Sequence, residues 1–147
     1  MLWVHLGILL YTALVILYTD HLGWQYFRGT KQTLDSRLVG RLHVAVWAGL
    51  IGMILSGAYM AWPAFSILLV QPLFIAKMGF VALLVVNAWF IGSLISVATT
   101  TPYASLTTKQ KTPLMVSGAL STISWISAAV TAVLLFGNVL AWVGISF

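Results

Sequence analysis

The sequence predicts an all-α integral membrane protein: one four-helix bundle, antiparallel and up-down-up-down, with the N-terminus and C-terminus outside. Three observations carry that expectation. The 147 residues are 61% hydrophobic and only 6% charged, with mean hydropathy +1.05, which leaves too few polar side chains to clothe a water-exposed surface. Four apolar cores, residues 2–20, 42–62, 73–98 and 114–137, approach or exceed the roughly 20 residues that cross a bilayer. Basic residues also fall in alternate connections. Arg28, Lys31, Arg37 and Arg41 follow the first span and Lys109 and Lys111 the third, whereas PAFSILLVQP between the second and third carries no charge. By the positive-inside bias the first and third connections are cytoplasmic, as in a multi-pass protein of the inner (cytoplasmic) membrane.

The first helix, WVHLGILLYTALVILYTDH and onward, runs past the hydrocarbon because HLGWQYFRG continues without a breaker to Gly29; it is expected over 2–28. Thr33 or Asp35 then caps a second helix over 34–62. The third spans 73–98 and the fourth 114–137. The tail, residues 138–147, is apolar but too short to cross alone, so it continues the fourth helix or lies along the outer interface. Trp3, Trp24, Trp62 and Trp142 suit two interfacial aromatic belts. There is no basic segment ahead of the first apolar run, so a cleaved signal peptide is not expected. No linker, low-complexity segment or internal repeat divides residues 1–147, which read as a single domain.

In lipid, helices associate through close approach of small residues and through interhelical hydrogen bonds. Ala45, Gly49, Gly52, Ser56 and Tyr59 run along the second helix at steps of 4, 3, 4 and 3, and Ser117, Ser121, Ser124, Ala128 and Thr131 along the fourth in the same way. His5, Thr12 and Thr19 make a matching line on the first, and Lys77, Phe80, Leu84, Asn87, Ile91 and Leu94 on the third. These four lines are the predicted interior, and most of their polar members need only bond helix carbonyls. Asn87, in mid-span, is expected to bond Ser or Thr of the fourth helix.

Much chemistry is excluded by residue type. There are no cysteines, and Asp20 and Asp35 are the only carboxylates. Thiolate metal sites, carboxylate-bridged di-iron centres and acidic proton relays through the bilayer lack their ligands. No GxSxG presents a serine nucleophile. The formal charge of +5 is placed where it sets orientation, so no nucleic-acid role is expected.

Two groups remain as candidate sites. The outer one joins His5, at the start of the first helix, to Lys77, at the start of the third, with Tyr59 level with them on the second. A lysine within a span snorkels, pairs or serves a site; the plainer alternative has Lys77 reaching the interface past Trp62 and His5 bonding a carbonyl. The inner one gathers Asp20, His21 and His43 for a divalent metal or bis-histidine haem, with Arg37 and Arg41 near the propionates. Its geometry is less favourable. At about 100° per residue, His21 lies about 160° round the first helix from His5 and Asp20 about 60°, while His43 shares its face with Trp47, Leu50 and Ile54 rather than with the small-residue stripe. Asp20 paired with an arginine, and both histidines in the headgroup zone, is the alternative there.

A histidine four residues after the initiator, a basic loop, and a lysine opening the third span in FIAKMGFVALLVVN give a layout that resembles the bacterial membrane-bound protoporphyrinogen oxidase family. It is similar in outline to the membrane domain of copper-resistance D proteins as well. The first resemblance implies haem b, with His5 and Lys77 in the places of that family's helix 1 histidine and helix 3 lysine. Its arginine-containing segment late in helix 1 is replaced here by VILYTDH and its acidic motif at the fourth span by TPLMVSGALS, so cofactor binding is better preserved than porphyrin oxidation. DHLGWQYFRGTKQTL and PLMVSGALSTISW further resemble segments of small bacterial four-helix membrane proteins of unknown function.

Three readings follow: a haem b protein with a redox or porphyrin-handling role; a transporter of copper or another cation, for which Met53, Met60 and Met78 are available; and a non-catalytic subunit of a larger membrane complex. A bundle this small would use a second copy, as a homo-oligomer, to surround a site.

Overall fold

In hydrocarbon every backbone N–H and C=O must find a partner within the chain, so apolar runs of this length have helix as their available form. The structure, a computed structural model, describes residues 1–142. Residues 143–147 of the predicted tail, and the side chain of Trp142, lie outside the described residues. Four helices are long and apolar enough to cross a membrane, and the expected all-α four-helix bundle is what forms.

Helix α1 covers Leu2–Phe27. It stops where Gly29 takes φ +73°, a left-handed conformation that costs a glycine nothing. Hydrogen bonds from Gly29 N to Tyr26 O and Lys31 N to Gln25 O close the turn. Of the two expected caps Asp35 is the one used. Its Oδ1 accepts from the backbone N–H of Arg37 at 2.8 Å and of Leu38 at 3.1 Å, so α2 begins at Ser36 rather than 34 and runs to Ala61.

The connection expected between the second and third spans is more helical than its charge-free sequence suggests. A 3₁₀ turn, Trp62–Ala64, leads into one α-helical turn, α3, Phe65–Leu68, which prolongs the apolar span to Leu68. Pro63 sits at the start of the 3₁₀ turn, where a missing N–H breaks no bond. Pro72 likewise opens α4, Pro72–Thr100. After a second 3₁₀ turn, Tyr103–Ser105, α5 covers Thr108–Trp142. It starts well before the expected residue 114 because Gln110 Oε1 accepts from both N and Oγ1 of Thr107 at 3.0 Å, the side-chain half of a capping box. Pro113 is carried inside this helix, in its exposed first turns, where water can reach the carbonyl a proline leaves unpaired.

The closest helix pairs are α4 with α5, α1 with α2, and α2 with α4. Thr12, wholly buried, packs on Gly49, where a Cβ would stand 2.8 Å from Thr12 Cγ2. Both residues lie on the predicted lines. Leu50, Leu84 and Ala88 form a midplane cluster with Trp47, Val85 and Trp125 against it. The Trp47–Leu50 face of α2 therefore meets α4, while its small-residue face meets α1. A second cluster, Tyr26, Ala98 and Leu106, closes the end that carries the basic connections. There Tyr26 Oη donates to Thr101 O at 2.6 Å and Leu34 N to Ala98 O at 3.1 Å, tying the first connection to the third.

Candidate functional site

The end of the bundle nearest Met1 holds the better-built group. His5 is half-buried on α1, and its Nδ1 lies 2.8 Å from Ser56 Oγ on α2. Ser56 Oγ also donates to Gly52 O at 2.6 Å. A hydroxyl has one hydrogen, so with that hydrogen committed to Gly52 the His5 Nδ1–H must be the donor to Ser56. The tautomer assigned by this bonding pattern leaves Nε2 of the neutral imidazole with its lone pair free. The ring lies beside Gly57, where a Cβ would be 3.5 Å from His5 Cε1. Lys77 is half-buried in the second turn of α4.

His5 and Ser56 meet for the same reason that Thr12 and Gly49 do. Each pair is equidistant from the turn at Thr30–Lys31, and an antiparallel hairpin brings such positions to one depth. Tyr59, placed by sequence in this site, does not join it. It is 64% exposed. At about 100° per residue it stands about 80° round α2 from Gly49, off the face that meets Thr12 of α1. Met60 and Met78 are exposed as well.

The structure does not gather the second group. Asp20 accepts from Thr122 Oγ1 of α5 at 3.3 Å rather than pairing with an arginine. His21, one residue and about 100° further round α1, is exposed and accepts from Gln25 Nε2 at 2.8 Å. His43 faces α4, its Nε2 accepting from Trp47 Nε1–H at 3.2 Å and standing 3.2 Å from where a Cβ on Gly92 would be. The lone pair that a metal would need is thus engaged in both histidines. Arg37 and Arg41 are exposed on α2. Among the described residues no three of His, Cys, Asp and Glu group as a metal site.

Between the two ends, Asn87 and Ser117 clasp α4 to α5 reciprocally. Asn87 Nδ2 donates to Ser117 O at 3.0 Å, and Ser117 Oγ donates to Asn87 Oδ1 at 2.9 Å. This is the interhelical bond the sequence predicts, and it engages both ends of the amide. Ser56, Trp47, Thr122 and Gly92 as partners of the candidate residues are what sequence reasoning passes over. For Ser56 a signal was present, since it stands on a predicted interior line at the hairpin distance from His5. No protein-family model, curated protein sequence or solved structure matches this chain.

Proposed function

We propose that this four-helix membrane protein binds haem b at the Met1 end of the bundle, where His5 Nε2 and the Lys77 amine would hold it. The observation that carries the reading is that, among the described residues, His5 alone of the three histidines keeps Nε2 free of a hydrogen bond while Nδ1 is held by a buried serine. A ring fixed through its other nitrogen is the usual condition of an imidazole ligand.

The donor set separates the cofactor readings. A structural transition-metal ion takes about four protein ligands, whereas among the described residues no three of His, Cys, Asp and Glu come together. Haem brings four nitrogens of its own and asks the protein for one or two axial groups, which is what an imidazole and an amine at one end of a bundle can give. Bound haem would supply one-electron chemistry. The chain's part is to hold the His5 ring through Ser56 and Gly52 and to offer Lys77 as a neutral amine, the form that has a lone pair to give. The proposal places the site at the outer side of an inner membrane, with the basic connections in the cytoplasm.

The test is an absorption spectrum of the detergent-purified protein, oxidised and then dithionite-reduced, with metal analysis of the same sample. A Soret band that sharpens on reduction, disappears in His5→Ala and persists in His21→Ala is expected. Ser56→Ala should keep the band but weaken haem affinity about tenfold or more. Loss of the band in His43→Ala but not His5→Ala would move the site to the basic end. Neither haem nor stoichiometric metal, from cells supplied with both, would overturn the reading and leave a non-catalytic subunit.

A further inference from the structure

The opposite end carries a different feature. Arg37 and Arg41 lie one turn apart on α2, about 6 Å along the axis and about 40° in rotation, with Gly40 about 60° to the other side of Arg37. Both are exposed, and nothing stands within 4 Å of where a Cβ on Gly40 would be. The result is a shallow, open depression of about 450 Å³ on α2, lined by Ser36, Arg37, Gly40, Arg41 and Val44.

The same face continues into the bilayer as bare hydrocarbon. Val44, Ile51 and Leu55 fall within about 40° of Arg37 on the helix, and they are 67%, 50% and 66% exposed. The one carboxylate nearby, Asp35, is already hydrogen-bonded to the backbone N–H groups of Arg37 and Leu38. Two guanidiniums thus face outward against a single committed carboxylate, at the depth where headgroups lie. Directly beneath them runs an exposed apolar strip along the span.

We propose that this depression and strip seat one anionic phospholipid, its phosphate between Arg37 and Arg41 and an acyl chain along Val44, Ile51 and Leu55. Guanidinium binds phosphate through paired N–H donors, a geometry that an ammonium cannot reproduce. The arginine pair therefore acts as a specific seat, distinct from the general attraction of Lys109 and Lys111 for an anionic leaflet. The occupant is a lipid because charge and hydrocarbon lie on one continuous face, and both halves of the ligand are matched.

Native mass spectrometry of the full chain in detergent tests this, with titration of dioleoyl phosphatidylglycerol, dioleoyl phosphatidylcholine and glycerol phosphate. One phosphatidylglycerol per chain should bind at the lowest concentrations, ahead of phosphatidylcholine. Losing two charge-assisted guanidinium contacts to the phosphate, Arg37→Gln with Arg41→Gln should weaken that binding about tenfold or more. Lys109→Gln with Lys111→Gln should leave the first lipid nearly unchanged. Equal loss in both double variants, or equal binding of the two lipids, would overturn the proposal in favour of diffuse charge. Glycerol phosphate binding as tightly as the lipid would overturn the acyl half. All four positions are exposed, and unchanged far-UV dichroism shows that each variant is folded.

Discussion

Replacing Ser117 by alanine should destabilise the bundle more than replacing Ser117 and Asn87 together. The pair is buried, at 3% and 4% exposure, and bonded in both directions. Ser117→Ala deletes the Oγ–H donor. The lost bond itself averages about 0.6 kcal/mol within a membrane and reaches about 1.7 kcal/mol at most. The Asn87 Oδ1 left behind has neither water nor a second donor, and such an orphan costs about 1–3 kcal/mol. A total of about 2 kcal/mol is expected. Asn87→Leu removes both bonds, but the freed Ser117 hydroxyl can turn back to a carbonyl of its own helix, so about 1 kcal/mol is expected. In the double variant two apolar groups of similar shape replace two polar ones with nothing orphaned, which is close to neutral. The double variant should therefore fall short of the sum of the singles by about 3 kcal/mol, at the upper end of the range for residues in contact. Reversible unfolding by dodecyl sulfate in bicelles, followed by circular dichroism, measures all four proteins. Additive singles, or a Ser117→Ala protein within about 0.5 kcal/mol of the parent, would refute the reciprocal clasp.

Two further outcomes follow from the hairpin and its cap. Gly49→Ala puts a methyl into Thr12, and overpacking of this kind costs about 1–3 kcal/mol; the same unfolding assay should show it, with partial recovery in Gly49→Ala plus Thr12→Ala. At Asp35 the backbone N–H groups of Leu38 and Arg37, aided by the charges of Arg37 and Arg41, hold the carboxyl below the usual carboxylate range. A depressed folded value means that the cap's stabilisation is complete above the ordinary aspartate pKa and is lost as pH falls through the lower, folded one. Asp35→Asn caps without titrating, so its stability should fall less on acidification than the parent's; parallel acid limbs would show that Asp35 contributes none of the pH dependence.

What the sequence determined by itself is what depends on one helix at a time. Hydropathy and length set the four spans, because each span must satisfy its own backbone whatever its neighbours do. The Asp35 cap was legible for the same local reason, and the Thr107–Gln110 spacing was there to be read. The small-residue lines also predicted real contacts, Thr12 with Gly49 and Asn87 with Ser117, since close packing between helices requires small or polar residues wherever it occurs.

Which polar groups share a site was decided only by the tertiary structure, because that depends on how each helix is rotated and where its neighbour ends. Tyr59 belongs to the predicted stripe but is rotated off the part of it that meets α1, and is exposed. His43 lies on a face that reads as outward from the small-residue pattern and is inward because α4 packs there through Leu50 and Trp47. Lipid is as apolar as leucine, so hydrophobicity does not distinguish a helix face that meets protein from one that meets the membrane. The orientation of His5 is the clearest case. The bonding pattern assigns its Nε2 the lone pair because the hydrogen of Ser56, 51 residues away in sequence, is committed to Gly52 on the neighbouring helix, which no pattern along α1 contains.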